Sequence, residues 1–182
     1  MDTRASHATT ALLLLGLITA GHPLQAAGRL LLLGDCAVTV HTYEMRRDFT
    51  EMRQIMVTDD KHISTRLLTR QTMKELQPLE SCCFLKHLLG FYVERVFSSY
   101  ATNQSQFRRN TSNLANSFLS IRNDLRKCHA QMRCECGEDS KARLAAIHDS
   151  YEKLEPQDGA VKAIGELDSL LEWMETFGDG EK

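Results

Sequence analysis

The chain has 182 residues, 42% of them apolar and 25% charged, with a formal net charge of −2. That is enough chain for one domain with a real core and too little for two comfortable ones. The interspersed signs exclude a global electrostatic drive toward nucleic acid or an anionic membrane. Three prolines and ten glycines supply few turn signals, which favours long helices over many short strands.

The chain opens with Arg4 ahead of an apolar run over residues 11–20, and small residues follow. The run is long enough for a signal peptide and too short to span a bilayer. In Thr19-Ala20-Gly21, Thr19 and Gly21 place small residues at the −3 and −1 positions that a cleavage enzyme requires, whereas a cut after Ala26 or Ala27 needs a less usual residue at −3. Residues 1–27 are therefore assigned to a signal peptide cut somewhere in 20–28, and residues 28–182 to the secreted domain. A second apolar run, residues 30–33, is too short to span anything and is expected to pack on the bundle. The mature chain is expected to be soluble and not to insert into a membrane.

Met45, Phe49, Met52 and Met56 are spaced 4, 3, 4, which is one face of a helix over residues 42–57. Asp59 and Asp60 break it. Ile63, Leu67 and Leu68 suggest a short second helix that Pro78 closes. Residues 82–100 carry a wide apolar face of Leu85, Leu88, Leu89, Tyr92, Val96 and Tyr100. After a polar loop, Leu114, Phe118, Ile121, Leu125 and Cys128 predict a fourth helix over residues 107–128. Gly137 is expected to allow a sharp turn into a fifth helix over residues 139–154. Pro156 suits the first turn of a sixth, continuous helix that ends before Gly178. No segment shows convincing period-2 alternation. Six amphipathic helices, none stable alone, predict an all-α bundle.

No catalytic motif is present: no His-Glu-x-x-His, no Gly-x-Ser-x-Gly, no phosphate-cradling glycine loop. The chain is read as a non-enzyme with no catalytic residues, no metal and no cofactor. The rival classes are a secreted carrier, which needs an internal cavity, and a small hydrolase, which needs convergent titratable groups in a cleft. Trp173 is either a binding anchor or a cover for the bundle edge.

The six cysteines are Cys36, Cys82, Cys83, Cys128, Cys134 and Cys136. An even count behind a secretory signal implies disulfides. Excluding the sterically poor 82–83 and 134–136 bonds leaves roughly ten of 15 pairings open. The simplest arrangement ties the set 36, 82, 83 to the set 128, 134, 136. Zinc at Cys128, His129, Cys134 and Cys136 is the rival, although the cluster has no Cys-x2-Cys knuckle. Asn103 and Asn110 head two glycosylation sequons, Asn103 in the predicted loop and Asn110 near the start of the fourth helix.

Several blocks carry a resemblance. CCFLKHLL (82–89) with FYVERVF (91–97), LANSFL (114–119), CHAQMRCECGE (128–138), EKLEPQ (152–157), KAIGELDSLLEWME (162–175) and EMRRDFTEMR (44–53) resemble the interleukin-10 family, subfamily of interleukins 19, 20 and 24. Thr111 departs from the aliphatic residue that the subfamily carries there, and it is the middle residue of the second sequon, which Ser112 completes. The resemblance implies a six-helix class II cytokine bundle with an up-up-down-down four-helix core. It implies the bridges Cys36–Cys128, Cys82–Cys134 and Cys83–Cys136.

The resemblance further implies a secreted, monomeric ligand that joins two class II receptor chains and triggers Janus kinase and STAT signalling. The implied pairs are the interleukin-20 receptor alpha and beta chains, or the interleukin-22 receptor alpha chain with the interleukin-20 receptor beta chain. One receptor face is implied at Lys162, Glu166 and Asp168 of the last helix and Arg46 and Arg53 of the first. A second face, from the first and third helices, is not resolved to residues. Residues 162 and 166 lie about 40° apart on a regular helix and share a face. Reversing the charge at Glu166 is accordingly expected to leave the core intact and to weaken receptor binding by at least about 1 kcal/mol.

Overall fold

The computed structural model describes residues 28–74 and 76–177, so the signal-peptide assignment lies outside the described residues. The domain begins with a β-hairpin, which corrects the all-helical reading at its first element. Strand β1 (Arg29–Leu33) pairs antiparallel with β2 (Cys36–Val40), and Leu33 lies opposite Cys36 across a two-residue turn. Gly34 in that turn has φ 63°, a left-handed conformation that glycine adopts without strain. Leu31, Leu33, Cys36, Val38 and Val40 face the bundle, as expected for the leucine run, while Leu30 and Leu32 face outward. Burial alternates with period two, but β1 is leucine on both faces, so hydropathy does not.

The main helices are α1 (Thr42–Asp59), α3 (Pro78–Phe91), α5 (Ser105–Ala130), α6 (Glu138–Glu152), α7 (Pro156–Gly165) and α8 (Leu167–Thr176), with a single turn α2 (Arg70–Met73) before α3. Helix α3 continues through a π-helical stretch, Tyr92–Val96, into α4 (Phe97–Ser99) and forms one rod. Four rods close a ring: α1 on α5, α5 on α3, the α3 rod on α7, and α7–α8 back on α1. Helix α6 lies against α3 and α7, and α2 against α8. This is the six-helix bundle that the periodicity predicts.

Two details differ from the expectation. The second helix does not contain Ile63, Leu67 or Leu68. Residues 60–69 are irregular, with Leu67 and Leu68 buried and Ile63 exposed, and the helical turn comes later. The last helix is broken at Glu166, where φ is −93° and ψ is 2°, after Gly165.

Phe49, Phe84, Tyr92 and Phe118 fill the centre, each less than 2% exposed. Phe118 meets Tyr92 edge-on at 5.8 Å and Phe97 at 5.7 Å. The Tyr92 hydroxyl donates to the Ala163 carbonyl at 2.7 Å, so the one polar atom of this cluster is satisfied. A carrier needs empty space where these rings sit.

The cysteines pair 36 with 128, 82 with 134 and 83 with 136, with Cα–Cα distances of 5.6, 5.4 and 5.3 Å. The first bridge ties the hairpin to the end of α5. The other two tie α3 to the loop before α6. Gly137 does not make the sharp turn. Its backbone is extended, and Met132, with φ 60°, takes the left-handed position. A Cβ at Gly137 would collide with the Glu80 carboxylate. That carboxylate accepts the Ser140 N–H at 2.9 Å and caps the start of α6.

Candidate functional site

The five residues implied for receptor binding separate into three groups. Lys162 and Glu166 lie side by side on the last helix, as the spacing requires, but the segment 60–69 covers that face. Lys162 is 1% exposed and Glu166 is 8% exposed. The Lys162 ammonium donates to Asp60 Oδ2 at 2.8 Å and sits 3.5 Å from Glu166 Oε1. Glu166 Oε2 accepts the backbone N–H groups of Leu67 and Leu68 at 2.7 and 2.8 Å, and Arg66 approaches Oε1 at 3.4 Å. Burial pushes the Asp60 carboxyl up. Hydrogen bonds from Lys162 and from the His62 N–H, with the Lys162 charge, outweigh it and hold the pKa below the usual carboxylate value. These residues hold the segment against α7. The expectation that Glu166 stands free on an open face is therefore corrected.

Arg46 and Asp168 form the second group. The Arg46 guanidinium bridges Asp168 and Glu175, reaching Glu175 Oε2 at 2.7 Å, and joins α1 to α8. Burial lowers its pKa, and the hydrogen bonds and charges of Glu175 and Asp168 outweigh that and raise it. All three side chains remain partly exposed. Arg53 is exposed on α1 and has no ion-pair partner among the described residues. With Thr50, Gln54, Val57 and Thr58 it lines a shallow depression of about 400 Å³. Arg46, Thr50, Arg53 and Val57 form one stripe by their 4, 3, 4 spacing.

Two apolar residues that the sequence reading did not assign to a site lie at the end of this stripe and beyond it. Val57 is 62% exposed and Ile63 is 76% exposed. Val57 was legible, since it falls outside the Met45–Met56 stripe. Ile63 was not, because its exposure depends on the path of the segment 60–69. The second face was left without residues. The fold places α5 between α1 and α3 on one side of the ring and α7 between them on the other.

Asn103 is exposed in the loop before α5. Asn110 is 2% exposed within α5, and its Nδ2 donates to Glu51 Oε2 at 2.8 Å. The folded chain therefore leaves Asn110 no room for a glycan, which corrects that assignment. Asn103→Gln is expected to abolish the glycan shift on an enzymatic deglycosylation gel, and Asn110→Gln to leave it unchanged. A shift retained in Asn103→Gln would move the glycan elsewhere. Thr111 donates to the Phe107 carbonyl at 2.9 Å and lies 3.4 Å from Met52 Sδ, so this turn still packs on α1.

Trp173 is 8% exposed and its ring lies 4.8 Å from that of Phe177, which is the edge-covering role. The sulfurs of the zinc reading all belong to disulfides, so none is a free thiolate donor.

The family model described as Interleukin 10 matches residues 26–179. Mouse (Mus musculus) interleukin-20 is 42% identical over 144 residues, covering 79% of this chain and 82% of that protein. Human (Homo sapiens) interleukin-19 is 34% identical over 143 residues, covering 78% and 81%. The crystal structure of human interleukin-19 superposes with a TM-score of 0.68 at 31% identity, over 75% of this chain and 88% of that one. A PROSS-edited human interleukin 24 superposes with a TM-score of 0.71 at 31% identity, over 81% and 97%. These relatives are cytokines and not enzymes. A hairpin-led helical bundle, with its rods in the same arrangement and its sequence blocks matched along nearly the whole described chain, places this chain in the interleukin-10 family.

Proposed function

We propose that the chain is a secreted monomeric cytokine that bridges two different class II receptor chains and triggers Janus kinase and STAT signalling. Family membership supports the cytokine role. Three disulfides suit an oxidising compartment. Among the described residues no helix is long and apolar enough to cross a membrane.

The observation that carries the receptor reading is the exposure of Val57 beside Arg53 on α1, with Ile63 exposed in the segment that follows the helix. Apolar side chains with a cation at hand are the material of an interface core. The Lys162–Glu166 pair acts behind this face by fixing the segment that presents Ile63. The Arg46–Asp168–Glu175 group forms its polar rim. The second receptor is assigned to α1 and α3.

Cells carrying the interleukin-20 receptor alpha and beta chains, or the interleukin-22 receptor alpha chain with the interleukin-20 receptor beta chain, are expected to phosphorylate STAT proteins on exposure to the protein. Val57→Glu is expected to keep the fold and to weaken binding to one receptor ectodomain by at least about fivefold, or roughly 1 kcal/mol. Silence in both receptor pairs overturns the bridging reading. Full potency of Val57→Glu moves the face elsewhere and leaves the function standing.

A further inference from the structure

The two halves of α6 are held in different ways. Its buried residues are Ser140, Ile147 and Tyr151, so the apolar contacts lie from Ile147 onward, where the Tyr151 ring meets that of Phe91 at 5.0 Å. Of residues 138–146 only Ser140 is buried. Discrete links tie that half down instead. Glu80 accepts the Ser140 N–H, the Glu135 N–H reaches the Leu79 carbonyl at 3.1 Å, and the Cys83–Cys136 bridge joins α3 to the chain just ahead of the helix. A helix end with few buried apolar contacts opens at low cost once such links are cut. The same half of α6 holds another part of the chain. Arg143 Nη1 donates to the carbonyls of Gln71, Thr72 and Lys74 at 3.0, 3.0 and 2.9 Å, and Nε and Nη2 donate to Asp139 at 3.0 and 2.9 Å. Asp139 thus orients the guanidinium, which satisfies the carbonyls around α2. Residues 60–74 are pinned at one end by Lys162 and Glu166 and at the other by Arg143.

The three bridges differ in access. Cys36, Cys82, Cys83, Cys128 and Cys134 are all buried. Cys136 alone of the six cysteines is only partly buried, so its side of the third bridge is the one open to an external thiol. His87 Nε2 lies 4.0 Å from Cys136 Sγ. Burial, with the charges of Lys86 and Arg122, lowers the pKa of that ring, which places positive charge near this sulfur. Such a field draws an attacking thiolate and stabilises the thiolate that leaves. Exposed bridges in such surroundings are the labile ones, whereas buried bridges resist reduction.

We propose that Cys83–Cys136 is a redox-sensitive bridge, opened by an external dithiol ahead of the other two, and that its opening loosens the N-terminal half of α6 and the Arg143 hold on residues 71–74. One thiolate of the dithiol attacks Cys136 Sγ, the bond to Cys83 breaks, and Cys83 leaves as a thiolate that takes up a proton. The second thiol of the dithiol then attacks its partner sulfur in the mixed disulfide, and Cys136 leaves and is protonated in turn. The bridge gains two electrons and two protons, and the dithiol becomes a cyclic disulfide. The buried Cys82–Cys134 bridge keeps the loop on α3, so the change stays local. Where Ile63 serves the receptor face proposed above, the opened form binds its receptor more weakly. That consequence rests on the receptor reading, whereas the bridge and its effect on α6 do not.

The test treats the oxidised mature protein with dithiothreitol at neutral pH, traps free thiols with iodoacetamide and maps them by tandem mass spectrometry. Cys83 and Cys136 are expected to alkylate at least about tenfold faster than the other four cysteines. The product with that bridge alone open is expected to exchange amide hydrogens about fivefold faster at residues 138–146 and 71–74, with α5 unchanged. Cys83→Ser with Cys136→Ser is expected to show the same exchange pattern without reductant. Should that variant not fold, the alkylated wild type carries the comparison by itself. Arg143→Ala, with all three bridges closed, is expected to raise exchange at residues 71–74. The proposal is overturned by any of three results. These are another bridge opening first or all three opening together, no faster exchange at residues 138–146 and 71–74 in the opened protein, or residues 71–74 unchanged in Arg143→Ala.

Discussion

Replacing Glu166 with lysine is expected to destabilise the fold by about 3–5 kcal/mol, the usual cost of breaking a buried ion pair from one side. The carboxylate accepts two buried N–H groups, from Leu67 and Leu68, and neither finds another acceptor when it is gone. The new ammonium also falls beside Lys162, itself 1% exposed. Urea unfolding should show the midpoint fall sharply. A stability within about 1 kcal/mol of wild type would show that the segment 60–69 is held by its leucines alone. Binding data on this variant report on folding first, so the exposed Val57 is the cleaner test of the receptor face. The Asp60–Lys162 contact adds a pH dependence. The folded Asp60 pKa is depressed, so its contribution is present above the unfolded value of about 3.9 and is lost as pH falls through the lower folded value. Acid unfolding of Asp60→Asn should accordingly be less steep below about pH 4.

Removing the Cys36–Cys128 bridge by Cys36→Ala with Cys128→Ala is expected to cost about 4–5 kcal/mol in the chain-entropy model. The bridge spans a sequence separation of 92, and constraint of the unfolded chain grows with the loop closed. For a domain of this size the loss corresponds to a fall in Tm of roughly 10–18 °C. It is also the bridge that holds the hairpin, so hydrogen exchange should rise first at Leu31–Leu33 and Cys36–Val40. A loss below about 2 kcal/mol would mean that the buried face of the hairpin anchors it without the covalent tie.

The same two places show what was legible in the sequence. The apolar stripes of α1, α3 and α5 were read correctly because each is a local, 3.6-residue pattern that packing then uses directly. The start of α3 was missed by one turn because Pro78, read as a closing residue, occupies the first helical position. The hairpin was missed because β1 presents leucines on both faces, and only the bundle decides which two are covered. The receptor residues fared according to their surroundings. Arg46 and Asp168 proved to meet across two helices, and Lys162 and Glu166 proved to lie beneath a segment about a hundred residues earlier in the chain.

The sequence by itself determined the helical class, the family, the even set of cysteines and the absence of a recognisable catalytic motif. Each of these is written in residue identity or in short-range spacing. Only the tertiary structure decided which polar residues are structural and which are available to a partner. A helix has several polar positions on its surface, and a neighbouring segment can cover any of them if it supplies matching donors and acceptors. Asp60 and the N–H groups of Leu67 and Leu68 do this for Lys162 and Glu166. Among the described residues, Arg53 and Val57 are exposed. That difference is set by the path of residues 60–69, which no periodicity records.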